Sequence, residues 1–312
     1  MPAGNRVRRG ICAAALTLLA SLCWVATASA LTPCPNQPQV NVISDGHTAL
    51  ESIGIDRRGR LFFTDSGAGQ LLMLKSPAAE PKVIAEDIDG PGGIVFQRRK
   101  GNVLVGFGDS VAQASDGTAN PEGGLLRVNP KTMETEVRTE GLQMANGIAR
   151  GPEQTIFASN DITPGGIDRV QKGQMPELNW STILSPNGMV SDSSRESLFV
   201  NQTFTVSAIQ RVPFDDPGAA TPYFQAPPGD AAGGLDGLTR GGGNTLFAAA
   251  NGGGAIWQIN GPGDGCQLAK LEPFPAGPSD VAFGRPGTKF SPDNLYVTTF
   301  GGELLELVGA RG

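Results

Sequence analysis

Histidine is almost missing from this chain: His47 is the only one in 312 residues. Chemistry that needs paired imidazoles, whether as metal ligands or as an acid–base couple, is excluded. Cysteine is nearly as scarce, at four residues. Charged side chains make up only 17% of the sequence, and acidic residues outnumber basic ones, 30 against 24, for a net charge of −6. A surface of that sign is a poor partner for nucleic acid or for an anionic membrane. No window keeps a helical hydrophobic period for long, so no substantial helix is expected in the mature chain.

Long apolar runs are also lacking, except at the start. Arg6, Arg8 and Arg9 precede an apolar stretch from Ile11 to Val25 that ends in Ala28-Ser29-Ala30. This is the pattern of a secretory signal peptide over 1–30. The stretch is too short and too near a small-residue cleavage site for a membrane span, although a retained anchor is the alternative. Leu22 before Cys23 does not suit lipoprotein processing. A periplasmic or secreted mature chain, 31–312, with no membrane attachment is expected, more acidic still without the leader arginines. Removing Cys12 and Cys23 leaves Cys34 and Cys266, which in an oxidising compartment read as one disulfide rather than two free thiols.

Glycine and proline are plentiful, 44 and 24 residues, and they separate short runs of Val, Ile, Leu, Phe and Thr. That is an all-β composition with many tight turns. The runs recur as six strand pairs. They begin at Glu51 and Leu61, Gly92 and Val103, and Asn146 and Thr155, then at Asn187 and Ser197, Asp236 and Thr245, and Asp280 and Leu295. A mean repeat of roughly 47 residues fits a four-stranded propeller blade. An open β-solenoid would show a shorter, stricter period. The reading is therefore a single all-β domain, a six-bladed β-propeller closed by an N-terminal strand. Val40 to Ser44 beside Glu303 to Val308 would remove the open edge. A Cys34–Cys266 bridge would staple that strand to the region between the fifth and sixth blades.

The residues that open the repeats are Glu51, Gly92, Asn146, Asn187, Asp236 and Asp280. In a propeller the innermost strands surround a central channel, so these positions converge. Carboxylates and carboxamides gathered there are costly without a partner, and a cation removes the cost. Glu51, Asn146, Asn187 and Asp236 are the expected ligands of one divalent ion. Their all-oxygen donor set selects a hard cation, Ca²⁺ first. Asn-Gly and Asp-Gly are also common turn dipeptides, a sufficient reading of Asn146, Asn187 or Asp236 taken singly. Glu51 is not a turn former, and the shared blade position favours the ion. Asp280 fits either the channel or a turn, and His47 a surface or blade edge. Gly241–Gly243 and Gly252–Gly254 lack the strand-to-helix context of a phosphate loop and read as blade turns. Trp180 and Trp257 fit either blade packing or a binding surface.

In blade order the chain resembles the senescence marker protein, gluconolactonase and regucalcin family, within the wider group of diisopropylfluorophosphatase and the paraoxonases. The resemblance is carried by Glu51-Ser52, Asn146-Gly147, Ser185-Pro186-Asn187-Gly188-Met189, Leu235-Asp236-Gly237-Leu238 and Ala250 to Gly254. The stretch from Gly151 to Asp161 is similar to its paraoxonase counterpart. The resemblance implies a catalytic divalent ion held by Glu51, Asn146, Asn187 and Asp236, and hydrolysis of lactones or, in some members, organophosphates. On that implication Asp236 acts as base or nucleophile, Glu51 balances charge, and the two asparagines orient ion and substrate. Sugar-lactone members carry an arginine two residues before the blade-three asparagine, where this chain has Met144. A thioether cannot bind a sugar hydroxyl or carboxylate as a guanidinium does, so Met144 and Asn146 are expected to face a more apolar lactone or ester. The single histidine cannot reproduce the paraoxonase pair. Two rivals stand beside this reading. One is a non-catalytic propeller that binds a ligand or protein over a structural ion. The other is a metal-independent relative of strictosidine synthase, which the complete Glu, Asn, Asn and Asp set argues against. A monomer acting on a small molecule is expected.

Overall fold

The computed structural model describes residues 29–97, 101–110, 119–162 and 165–311. The expected signal peptide, apart from its last two residues, lies outside them. Strand β1 (Gln39–Ser44) comes first. Blade one is β2 (Leu50–Ile55), β3 (Leu61–Asp65), β4 (Gln70–Leu74) and β5 (Lys82–Ala85). Blade two is β6 (Ile94–Phe96), β7 (Val103–Phe107), β8 (Gly123–Val128) and β9 (Thr135–Leu142). Blade three is β10 (Ile148–Arg150), β11 (Ile156–Ser159), β12 (Ile167–Val170) and β13 (Glu177–Ser181). Blade four is β14 (Pro186–Ser191), β15 (Ser197–Gln202), β16 (Ala208–Pro213) and β17 (Thr221–Gln225). Blade five is β18 (Leu235–Arg240), β19 (Leu246–Ala250), β20 (Ala255–Gly261) and β21 (Asp264–Lys270). Blade six holds β22 (Pro278–Phe283), β23 (Leu295–Thr299) and β24 (Leu304–Val308).

Each blade is an antiparallel four-stranded sheet, and the sixth takes its outer strand from β1, which pairs with β24 from Gln39 opposite Val308 to Ser44 opposite Leu304. The chain is a six-bladed β-propeller, and this pairing closes it. Cys34 and Cys266 form a disulfide, with Cα atoms 5.1 Å apart. It ties the segment before β1 to β21, the outermost strand of blade five, where the amide of Cys34 also donates to the Gln267 carbonyl at 2.9 Å.

The core lies between the blades. Inner strands are covered on both faces, so β3 reads Leu-Phe-Phe-Thr-Asp with every residue buried, a continuous rather than alternating pattern. Aromatic rings join adjacent blades: Phe62 meets Phe96 with centroids 5.5 Å apart, and Phe247 meets Phe283 edge-on at 4.8 Å. Trp257 and Trp180 are buried in blade packing, at 1% and 7% exposure, which removes them from any binding surface. Gly241–Gly243 lies between β18 and β19, and Gly252–Gly254 between β19 and β20, as blade turns.

The Asn-Gly and Asp-Gly pairs have a different role from the turns their composition suggests. Gly188 and Gly237 lie inside β14 and β18. A Cβ on Gly188 would come within 2.4 Å of the Asp236 carbonyl oxygen, and one on Gly237 within 2.1 Å of Asp280 Oδ1. Here glycine permits neighbouring inner strands to close around the channel.

Candidate metal centre and channel

Four of the inner strands carry a register irregularity where the blade's entry residue sits: between Leu50 and Ile53, Pro186 and Met189, Leu235 and Leu238, and Pro278 and Asp280. Such bulges re-aim side chains and concentrate near functional sites. Glu51, Asn187 and Asp236 lie in these irregular stretches, and Asn146 lies just before β10. All four line one cavity of about 750 Å³ along the propeller axis, together with Asp280. All four are also buried, none more than 9% exposed.

Polar side chains of one blade, mostly from its second strand, hold the entry segment of the next. Thr64 of β3 donates to the Gly92 carbonyl at 3.1 Å. Ser159 of β11 donates to the Asn187 carbonyl at 2.9 Å, and Asn201 of β15 to the Asp236 carbonyl at 2.7 Å. Between blades six and one, Ser279 of β22 donates to the Leu50 carbonyl at 2.6 Å. Each contact runs from one blade to the entry segment of the next. The repeat shows its signal: a polar residue ends an otherwise apolar run in Leu61-Phe-Phe-Thr64, Ile156-Phe-Ala-Ser159 and Leu198-Phe-Val-Asn201.

Two carboxylates here were not foreseen from sequence. Asp109, beyond β7, accepts from Asn146 Nδ2 at 3.3 Å, and Asp161, beyond β11, accepts from Asn187 Nδ2 at 3.4 Å. They come from loops rather than from the repeat's entry position, so blade alignment does not expose them. Asp280 belongs to the channel rather than a turn. It accepts from Ser52 Oγ at 2.8 Å and the Ile53 amide at 3.1 Å, which braces blade six against blade one.

The electrostatics are one-sided. Burial, followed by the charges of Asp109, Asp236, Asp161 and Asp280, pushes the Glu51 carboxyl well above its ordinary range. Asp236 is raised in the same way by burial and then by Asp161, Asp280 and Asp109, with hydrogen bonding from Asn187 working the other way. Burial is also the main cause that raises Asp109 to about 7 and Asp161 and Asp280 to about 6. No lysine or arginine figures among these causes.

These residues fit a hard cation. The donors are all oxygen, the charges lack a cationic partner, and Asp161 Oδ1 and Asn201 Oδ1 are buried with no hydrogen-bond partner. Among the described residues no three His, Cys, Asp or Glu side chains suffice for an ion by themselves, so a site here requires the carboxamides of Asn146 and Asn187. Met144 stands apart: it is buried, at 4% exposure, and is not part of the described cavity lining. His47 lies at the closing blade, where Nε2 meets Ser44 Oγ at 2.8 Å and the ring packs edge-on against Phe63. Among the described residues no helix is long and apolar enough to cross a membrane.

No protein-family profile matches the sequence, and no curated protein matches it. Solved structures do. A gluconolactonase from Xanthomonas campestris is similar with a TM-score of 0.68 and 14% identity, over 91% of this chain and 99% of that one. A calcium-binding protein, regucalcin, from Agrobacterium tumefaciens is similar with a TM-score of 0.68 and 18% identity, over 89% and 95%. A luciferin-regenerating enzyme is similar with a TM-score of 0.68 and 15% identity, over 87% and 95%. At such identities the likeness establishes the propeller, and one fold carries many activities.

Proposed function

We propose that this chain is an exported, metal-dependent hydrolase of a lactone or ester, with promiscuous organophosphate hydrolysis within its reach. Glu51, Asn146, Asn187 and Asp236 would hold one divalent ion, Ca²⁺ before others. The observation that carries the reading is the pair of buried carboxylates, Glu51 and Asp236, meeting two carboxamides at one end of a channel with no cationic side chain among their charge partners. The structural neighbours named gluconolactonase and regucalcin support it.

When bound, the ion would polarise the substrate's carbonyl or phosphoryl oxygen and stabilise the charge that develops there. Asp236 is the group we assign to the reaction, as base or nucleophile, because a carboxylate can serve the ion with one oxygen and face substrate or water with the other. Glu51 balances charge. Asn146 and Asn187 orient, and Asp109 and Asp161 fix the turn of each carboxamide through the hydrogen bonds above. Asn201 sets the height of Asp236 by gripping its backbone.

Substrate character is suggested by exposed apolar side chains on loops next to the entry residues, outside the cavity lining itself. Leu184, Phe204 and Phe274 are exposed and lie on loops tied to the entry residues: the Phe204 amide donates to Ser185 Oγ at 2.9 Å, two residues from Asn187. The Phe274 amide donates to the Asn251 carbonyl, and Asn251 Nδ2 reaches Pro278, two residues from Asp280. Met144 leaves no guanidinium beside Asn146. An acyl or aryl lactone or ester suits these loops better than a sugar lactone, and we assign Asn146 to the substrate side, with Met144 acting only through the guanidinium it does not supply. The disulfide suits the periplasm or the exterior, with cleavage near residue 30 leaving one domain that acts as a monomer.

The test is a screen of aliphatic lactones, aryl esters and gluconolactone on purified protein, with and without chelator. Chelator-sensitive turnover that favours the apolar substrates is expected. Turnover indifferent to chelator would overturn the metal reading, no turnover would point to a ligand-binding propeller, and a preference for gluconolactone would overturn the substrate class.

A further inference from the structure

The inner strands carry carboxylates at one end of the channel and arginines at the other. Asp236 is the second residue of β18 and Arg240 the last, about 13 Å further on at ~3.3 Å per strand residue. Arg57 and Arg58 follow β2, Arg150 ends β10, Arg195 follows β14, and Arg285 follows β22. All of these arginines line the same cavity as the acidic end. Contacts between blades confirm that they share a level: Arg150 Nη1 donates to the Phe96 carbonyl at 2.8 Å at the end of β6, and Arg285 Nε to the Ile55 carbonyl at 2.5 Å at the end of β2.

Acidic residues at this end are already engaged. Asp56 takes a two-point contact from Arg60, with Nη2 at 2.6 Å and Nε at 2.9 Å, besides the amides of Arg58 and Arg60. Asp192 accepts from Ser197 Oγ at 2.8 Å and Arg211 Nη2 at 3.0 Å. Arg57, Arg58, Arg195, Arg240 and Arg285 make no ion pair among the described residues. Arg240 Nε is in addition buried without a hydrogen-bond partner, although Nη1 reaches the Gly243 carbonyl at 2.7 Å. Partial desolvation lowers the pKa of Arg285, Asp56 pulls it back up, and nearby Arg57 pushes it down again. In a chain of net negative charge, this convergence of guanidiniums costs repulsion and desolvation that a bound anion would offset.

We propose that the arginine end of the channel is a binding site for a small multivalent oxyanion of the phosphate class, separate from the acidic end and independent of the hydrolase reading. Guanidinium forks on several blades suit an anion with several oxygens, which each can grip in pairs. The concave setting favours a soluble anion over a lipid headgroup in a bilayer.

Calorimetry on metal-free, desalted protein, titrated with inorganic pyrophosphate at constant ionic strength, tests this. Saturable binding at one site is expected. The double variant Arg58→Gln/Arg195→Gln alters two exposed side chains and should fold normally; it should weaken binding about tenfold or more, as loss of charge-assisted contacts does. Arg240→Gln should weaken it comparably, while Asp236→Asn should leave it unchanged. Absence of saturable heat, parental affinity in both arginine variants, or loss of binding in Asp236→Asn would each overturn the site. Displacement of pyrophosphate by vesicles of anionic phospholipid would overturn its assignment to a soluble ligand.

Discussion

Asn201 Nδ2 stands 2.7 Å from the backbone carbonyl of Asp236 and 3.0 Å from that of Gly237, so one carboxamide of blade four sets where blade five presents its carboxylate. The side chain is fully buried, and its Oδ1 has no hydrogen-bond partner. Replacing Asn201 by Leu keeps the volume and removes both hydrogen bonds, at about 1 kcal/mol or more for each. Thermal melts should show that destabilisation, and any lactone or ester turnover should fall in kcat more than it changes in KM. Unchanged stability would show that the contacts contribute nothing.

Asp236→Asn separates chemistry from fold. Asp236 is buried among like charges, so neutralising it removes repulsion from the metal-free protein while deleting the proposed base or nucleophile. Turnover should disappear, and the melting temperature of chelated protein should rise or hold. Near-normal activity would refute the role.

Removing metal should make stability fall with rising pH. In the folded chain Asp161 and Asp280 hold their protons to about 6 and Asp109 to about 7, whereas unfolded carboxyls release theirs near pH ~4. Between those values the native state binds more protons than the unfolded one, so metal-free stability is greatest at or below pH ~4 and declines toward pH ~7. Melts of chelated, desalted protein across that range check the slope. Added Ca²⁺ should flatten it, because an ion would replace the protons. A metal-free protein that gains stability over this interval would contradict the arrangement.

Gly188→Ala tests the close approach of blades four and five. The added methyl would meet the Asp236 carbonyl oxygen at 2.4 Å, backbone against which a Cβ cannot relax. A loss of about 1–3 kcal/mol is expected from overpacking, with turnover impaired through displacement of Asp236. Wild-type stability in urea denaturation would count against the contact.

Opening the disulfide should loosen closure. Cys34 and Cys266 are 232 residues apart in sequence, so the bridge restricts most of the unfolded chain, and Cys34→Ser/Cys266→Ser should cost about 2–5 kcal/mol. Equal denaturation midpoints for variant and parent would show that the β1–β24 pairing closes the ring unaided.

Much of this protein could be read before any coordinates. A blade is a local object, four short strands in succession, so the apolar runs after Glu51, Asn146, Asn187 and Asp236 and the turns between them identify six copies and their entry residues from composition and spacing alone. The closing strand followed from the need to end a ring, and the Cys34–Cys266 pair from being the two cysteines left once the expected leader is removed. Tertiary structure decided the rest, because it depends on what ring closure brings side by side. Gly188 and Gly237 resemble turn glycines until the next blade's backbone is seen against them. Asp109 and Asp161 each lie two residues past the second strand of their blade, away from the entry positions that the repeat aligns, and only their hydrogen bonds with Asn146 and Asn187 reveal them. Met144 has a clear place in sequence, yet its side chain is buried away from the described cavity. Arg150 and Arg240 end their strands four residues after Asn146 and Asp236, but Arg57, Arg195 and Arg285 follow theirs at other distances, so no single spacing marks the set, and they line one cavity only when the strands stand around a common axis.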